Sequence, residues 1–158
     1  CAYEGPVKNL IHEFKYNNKD FIAPALGRLI VDFIREYNFP LGFIDLIVPI
    51  PLHSARLRER EFNQAELLGK HIASAFNLTV SADNLIRKRY TQNQAELESR
   101  QRPANVKGSF AVKNPEFFKG KNILLVDDVL TTGATSSEAA LVLKESGAIL
   151  VLVLTVAN

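Results

Sequence analysis

The hydrophobic positions of this 158-residue chain change period several times, and each change marks an element. Val7, Leu10, Ile11 and Phe14 recur at three- and four-residue spacing behind Pro6, which predicts a helix with Pro6 in its first turn. Leu26, Leu29, Ile30, Phe33 and Ile34 repeat that period and predict a second helix over 24–37 with all five inward. Residues 45–50 read as a buried strand that ends in Pro49-Ile50-Pro51. Residues 63–76 read as a helix packed through Ala65, Leu67, Leu68, Ile72 and Ala75. The stretch 90–108 has no apolar period and is rich in Gln, Glu, Arg and Asn. It predicts a long loop, of a kind that compact domains keep for functional lids. A short strand follows over 109–112. Then 122–126 as strand, 134–146 as helix and 148–156 as strand make a βαβ unit, with Gly147 placed as the helix stop.

Strands alternating with helices predict an α/β fold, a mainly parallel sheet flanked by helices. The length suits one domain over 1–158. Apolar residues make up 47% and charged residues 23%, an ordinary globular composition. The net charge of +2 is spread along the chain and does not by itself argue for nucleic acid. Cys1 is the one cysteine, so no internal disulfide is available and a reducing compartment is expected. No apolar run is long enough to span a bilayer and no signal-peptide pattern is present. The chain begins at Cys1 without Met, which leads us to expect a missing upstream segment. His12, His53 and His71 are far apart and lack metal-ligand spacing, so they read as structural or surface residues. Lys15 reads as a surface lysine.

The densest chemistry lies between 122 and 135. The apolar run Ile123-Leu124-Leu125-Val126 is closed by Asp127 and Asp128, then Thr131, Thr132, Gly133, Ala134 and Thr135 form a turn that opens a helix. A loop of this type aims backbone N–H groups and a helix N-terminus at an anion. Gly133 allows close backbone approach, and the threonines add donors. The two carboxylates cannot serve the phosphate itself; they suit hydroxyl groups or a hydrated Mg²⁺ beside it. A ligand with a phosphate next to a diol satisfies both halves. An ordinary capped turn is the plainer alternative, but it does not need two acids before a Thr-Thr-Gly-x-Thr loop. The pattern resembles the binding motif of type I phosphoribosyltransferases, which use phosphoribosyl pyrophosphate (PRPP). That resemblance implies a ribose-binding role for Asp127 and Asp128 and a 5-phosphate role for Thr131 to Thr135.

Other segments carry two readings each. Pro49, Ile50 and Pro51 either terminate a strand or form a rigid loop that offers backbone amides to a second phosphate, as a pyrophosphate loop would. Arg56, Arg58 and Arg60 either lie on a solvated surface or collect pyrophosphate charge. Arg87, Lys88 and Arg89 lead into the long loop, and Arg100, Arg102 and Lys107 lie near its end. Such cations suit closure over a leaving group. A basic face for nucleic acid competes, but Tyr90 is the only ring before Phe110, which is poor for base stacking.

Further segments extend the resemblance over nearly the whole chain. Tyr3-Glu4-Gly5-Pro6-Val7, Phe14-Lys15-Tyr16, Val48 to His53, Arg56 to Arg60 and Phe62-Asn63-Gln64-Ala65-Glu66-Leu67 are similar to the ComF/GntX family. Thr91, Gln94, Leu97, Arg102, Asn105, Gly108 and Phe110 follow in family order, which adds Gln94 and Asn105 to the lid candidates. These are phosphoribosyltransferase-like proteins whose ComF members serve bacterial DNA uptake in natural transformation. The resemblance implies a cytoplasmic bacterial protein with a single type I phosphoribosyltransferase-like, Rossmann-like domain that binds PRPP, with Mg²⁺ held by Asp127 or Asp128 directly or through water. It also implies an N-terminal cysteine-rich zinc module, absent from this chain. Glu61 and Glu96 stand where the family has glycine. Two functions follow: Mg-dependent phosphoribosyl transfer to a nitrogen acceptor, or a non-catalytic PRPP- or nucleotide-sensing adapter that binds single-stranded DNA or competence proteins. The sequence names no acceptor and no oligomeric state.

Overall fold

The computed structural model describes residues 2–16, 20–91 and 102–158. Helix α1 (Gly5–Tyr16) leads through a 3-10 turn (Asp20–Ile22) into α2 (Ala23–Glu36). Strand β1 (Leu46–Pro49) is followed by α3 (Ser54–Arg60), α4 (Gln64–Phe76) and β2 (Thr79–Val80). After β3 (Leu85–Arg87) come α5 (Arg102–Val106) and β4 (Phe110–Val112), which pairs antiparallel with β3. The chain then runs through β5 (Asn122–Val129), α6 (Ala134–Glu145) and β6 (Leu150–Ala157).

The main sheet has the order β2-β1-β5-β6, and every pair in it is parallel. The connection from β1 leads to β2 on one side, and that from β5 leads to β6 on the other. Strands β1 and β5 therefore flank a switch point, where a crevice opens at the carboxyl ends of a parallel sheet. Both faces of the sheet are covered, which is why Ile123, Leu124, Leu125 and Val126 are all fully buried. Ile47, Leu124, Val126, Leu154 and Val156 pack against α1, α2 and α4. Leu46, Val48, Ile123 and Leu125 pack against Ala139 and Leu143 of α6 and against Leu85, Phe110 and Phe118.

Several elements depart from the sequence pattern, each for a packing reason. In α2, Leu29 and Phe33 are 45% and 44% exposed rather than inward. The buried stripe is instead Ala23, Leu26, Gly27, Ile30, Val31 and Ile34. Gly27 sets that rotation: a Cβ there would lie 2.7 Å from the His71 Cβ of α4. Leu10 and Ala75 also face outward. Strand β5 does not stop before the acids but runs through them to Val129, because β6 keeps pairing beyond the end of β1 (Asp127 with Thr155, Val129 with Ala157). The arginine segment forms α3, and the stretch expected to be a loop holds α5, anchored by the buried Val106. Gly147 follows α6 with φ +90°, as its role of helix stop requires.

Helix α3 ends on Glu61, whose φ of +65° is uncommon for a residue with a Cβ. This is a position where the family resemblance leads to glycine, and the backbone shows why. Relieving the strain should outweigh the extra chain entropy of glycine. Glu61→Gly is expected to raise stability by about 0.5–1 kcal/mol, read from the urea midpoint at unchanged slope. An unchanged or lowered midpoint would show that the turn is not strained.

Candidate active site

Alternation along β5 sends its two acids to opposite faces of the sheet. Asp128 follows Leu124 and Val126 to the face covered by α1, while Asp127 follows Ile123 and Leu125. Asp128 is buried, and Lys15 of α1 meets it with Nζ 3.0 Å from Oδ1. Lys15 is thus no surface lysine: its side chain is 21% exposed and that of Asp128 9%. Burial works against the ammonium, but Asp128 and then Asp127 outweigh it and raise the Lys15 pKa. Asp127 accepts a hydrogen bond at Oδ1 from the Asp128 amide (2.9 Å). Asp127 is half-buried and lines the cleft. Burial, and next the Asp128 charge, push its pKa up to about 7.

The motif Phe62-Asn63-Gln64 braces this arrangement. Gln64 is buried and donates through Nε2 to the Phe14 carbonyl (3.0 Å), next to Lys15. Its Oε1 accepts from Arg60 Nη1 (3.2 Å). The Phe62 ring lies 5.6 Å from the Phe14 ring. Asn63 caps α4 by accepting from the Ala65 amide (3.2 Å) and donates to the Ile50 carbonyl (3.0 Å). One short segment thus fixes α1, α4 and the end of β1 together.

After β5, Gly133 takes φ +74° as the N-cap of α6. No atom comes nearer than 3.9 Å to a Cβ built on it, so the turn, not space, calls for glycine there. The Ser136 hydroxyl donates to the Gly133 carbonyl (3.0 Å), and the Thr132 hydroxyl accepts weakly from the Ala134 amide (3.5 Å). Thr131 and Thr135 line the same cleft as Asp127 and Asp128, a cavity of about 650 Å³.

The cleft also gathers cations, and here the structure sorts the sequence candidates. Arg56 and Arg60 line it, four residues apart on one face of α3. Arg58 is exposed and does not line it, because a helix turns it away. Arg102 lines it from α5, whereas Lys107 is exposed and neither Lys107 nor Asn105 is part of the wall. The carbonyls of Asn105 and Lys107 instead accept from Arg89 (2.9 and 2.8 Å). Gln94, Glu96 and Arg100 lie outside the described residues.

Pro49, Ile50 and Pro51 cannot supply amides to a phosphate. Proline has no N–H, and the Ile50 amide donates to the Val126 carbonyl (2.9 Å). Any backbone donors on this side begin at Leu52, which lines the cleft beside Ile50. Arg87 is more deeply involved than its place ahead of the long loop suggests. It reaches the cleft from β3, with its guanidinium 5.4 Å from the Phe110 ring centre and bonded to the Thr91 hydroxyl. Its buried Nε has no hydrogen-bond partner among the described residues, and burial lowers its pKa. Its signal in the sequence was weak, since an arginine beside Lys88 and Arg89 reads as surface charge. His53 is structural, accepting from the Ala55 amide at the start of α3 (3.3 Å).

The fold is that of type I phosphoribosyltransferases. The structure of glutamine phosphoribosylpyrophosphate (PRPP) amidotransferase from B. subtilis superimposes with a TM-score of 0.60 at 18% identity, over 91% of this chain and 30% of that one. An allosteric regulatory enzyme of purine biosynthesis matches with a TM-score of 0.54 at 20% identity, over 85% of this chain and 26% of that one. The phosphoribosyl transferase domain model matches residues 63–158, and the chain belongs to that family. A DNA utilization protein, YhgH, of Salmonella typhi is 36% identical over 150 residues, covering 92% of this chain and 64% of that protein. Competence protein F of Haemophilus influenzae is 32% identical, covering 92% and 65%. Competence protein ComFC of Bacillus subtilis is 38% identical, covering 92% and 57%. The chain thus spans just under two thirds of the length of the YhgH protein.

Asp127 makes stability depend on pH. The folded chain holds its proton up to about pH 7, whereas an unfolded aspartate releases it near pH 4. Its contribution is therefore full below about pH 4 and is lost as pH rises through about 7. Asp127→Asn removes this loss, so the variant should gain on the wild type as pH rises. Urea midpoints at pH 5 and pH 8 test it, with the larger advantage for the variant at pH 8. An equal difference at both would mean that another group titrates.

Proposed function

We propose that the cleft binds PRPP and that the protein is a ComF-type phosphoribosyltransferase-like factor acting on DNA uptake or use in the bacterial cytoplasm. One observation carries this reading: an acidic pair and a Thr-Gly helix-opening loop meet, with arginines, in one cleft at the switch point of a parallel sheet. Asp127 and Asp128 take the ribose hydroxyls. The loop of Thr131, Thr132, Gly133, Ala134 and Thr135 takes the 5-phosphate. Arg56, Arg60, Arg87 and Arg102 face the pyrophosphate. The competence and DNA-utilization names of similar proteins supply the cellular context. No helix among the described residues is long and apolar enough to cross a membrane.

In the catalytic form of this reading, a nitrogen lone pair attacks the anomeric carbon of PRPP. The new C–N bond forms as the C–O bond to pyrophosphate breaks, the bonding pair leaves with pyrophosphate, and the nitrogen loses its proton to solvent. The arginines stabilise the negative charge that develops on the leaving group. No group of three or more His, Cys, Asp or Glu side chains is placed to hold a metal among the described residues. Two carboxylates nevertheless fit Mg²⁺, which keeps several waters and takes phosphate oxygens from the substrate. Asp127 or Asp128 would hold it, directly or through water, and the ion would supply charge neutralisation for the pyrophosphate.

A second reading has its own observation. Tyr90 is 49% exposed near the cleft, with Arg56 5.4 Å from its ring centre and His53 edge-on at 5.5 Å. A ring flanked by a cation suits a stacked base of single-stranded DNA. Turnover of PRPP with a panel of nitrogenous bases separates an enzyme from a PRPP-responsive adapter. Both need the acidic pair. Replacing Asp127 and Asp128 together by Asn should weaken PRPP binding at least about tenfold in calorimetry with Mg²⁺, since hydrogen bonds to charged groups are worth about 1.5–3 kcal/mol. Unchanged affinity in the double variant would overturn the ligand assignment.

A further inference from the structure

We propose that the Lys15 ammonium is the resident cation of the ribose subsite, which lets the cleft hold a ribose phosphate without a divalent metal. The inference rests on the reading above, in which the acidic pair takes ribose hydroxyls. The strand, acidic pair and loop account for themselves without any lysine. Yet α1, from the opposite end of the chain, delivers one to Asp128 at 3.0 Å.

The chemistry of a diol explains what it can do there. Each sugar hydroxyl is both a donor and an acceptor, whereas an ionised carboxylate only accepts. Asp128, paired with Lys15, can accept from a hydroxyl but gives nothing to its oxygen, and Asp127 can donate only while it holds its proton, below about pH 7. An ammonium carries three N–H bonds. One is directed at Asp128, and the group lines the cleft, so others can reach a ligand oxygen beside the acids. Lys15 also offsets part of the repulsion between the two adjacent carboxylates, a task otherwise left to a bound cation.

The ammonium is held, not merely nearby. Gln64 grips the carbonyl of Phe14, Phe14 is fully buried, and Phe62 packs on its ring. A divalent ion between Lys15 and the acids would meet like charge at short range. Mg²⁺, held by Asp127 or Asp128 directly or through water, would then serve the pyrophosphate, and the metal needs of the two ends of PRPP separate. Ribose 5-phosphate has only the sugar end, so it isolates the effect.

The experiment is calorimetric titration of the protein with ribose 5-phosphate, in EDTA and in excess Mg²⁺. The wild type should bind equally in both. Lys15→Met keeps the apolar stem and removes the charge; it should lose at least about tenfold in affinity in EDTA, the worth of one charged hydrogen bond. Mg²⁺ should recover part of that loss, and Lys15→Arg should rescue binding in EDTA, which a purely structural role in packing α1 does not predict. Lys15→Met binding like the wild type in EDTA overturns the inference. So does a wild type that needs Mg²⁺ for ribose 5-phosphate, a result that stands even if Lys15→Met fails to fold. A wild type that binds Mg·PRPP but takes ribose 5-phosphate only with metal overturns this inference alone. One that binds neither overturns the proposed function as well.

Discussion

Two adjacent carboxylates at the end of a strand, one buried and one half-buried, are the constraint on which the rest of this structure depends. An isolated buried charge is costly unless it is paired or neutralised. The chain uses both remedies. Asp128 is paired with Lys15, and the pKa of Asp127 rises so that a proton neutralises it near pH 7. The first remedy is demanding, because it brings the lysine from 113 residues away in sequence (128 less 15). Helix α1 must then lie against one face of the sheet and stay there. The buried amide of Gln64, bonded to the Phe14 carbonyl, meets that demand, and the packing of Phe62 on Phe14 supports it.

The sheet topology decides where these groups meet. The pairing of β1 with β5 ends at Pro49 opposite Val126, while β6 continues beside Asp127 and Val129. Beyond Pro49, β5 has a partner on one side only. The crevice opens on the other, and Ile50 lines it next to the acids. Pro49 and Pro51 make this end sharp, since neither can donate to a ladder. The Ile50 amide, bonded to the Val126 carbonyl, closes the sheet at that point. The prolines therefore shape the crevice wall without offering donors to a ligand.

What could be read from the sequence was local. The apolar strand ahead of the acids, the glycine turn at Gly133 and the stop at Gly147 each rest on the conformation of a few consecutive residues. What could not be read was relational. Lys15 looked like any lysine on a helix, because its partner is set by how α1 docks. Arg56, Arg58 and Arg60 looked equivalent at a spacing of two, and only the helical turn of α3 puts Arg58 on the other side. Leu29 and Phe33 fit the apolar period of α2, but the close approach of Gly27 to His71 chose a rotated stripe. The extension of β5 through the acids needed β6 as a partner, and α5 needed Val106 to find the core.

The charge of the cleft narrows what can fill it. Among the described residues, Lys8, Lys15, Arg56, Arg60, Arg87 and Arg102 line it, with Asp127 and Asp128 as the acids. Lys15 is already paired with Asp128, so among the described residues that line the cleft positive charge exceeds negative. A neutral ligand would leave these like charges facing one another in a partly enclosed space, where screening by water is reduced. A ligand with several negative charges relieves that repulsion, and one with a diol beside a phosphate also uses the acids and the threonine loop. A DNA backbone meets the first condition, but its sugars lack the second hydroxyl of the diol. The buried Nε of Arg87 adds a donor without a partner among the described residues, the kind of group an anion inside the cleft would satisfy. The depth of the site thus favours a ribose polyphosphate, and its rim, where Tyr90 is exposed beside Arg56, is where a nucleic acid strand would fit.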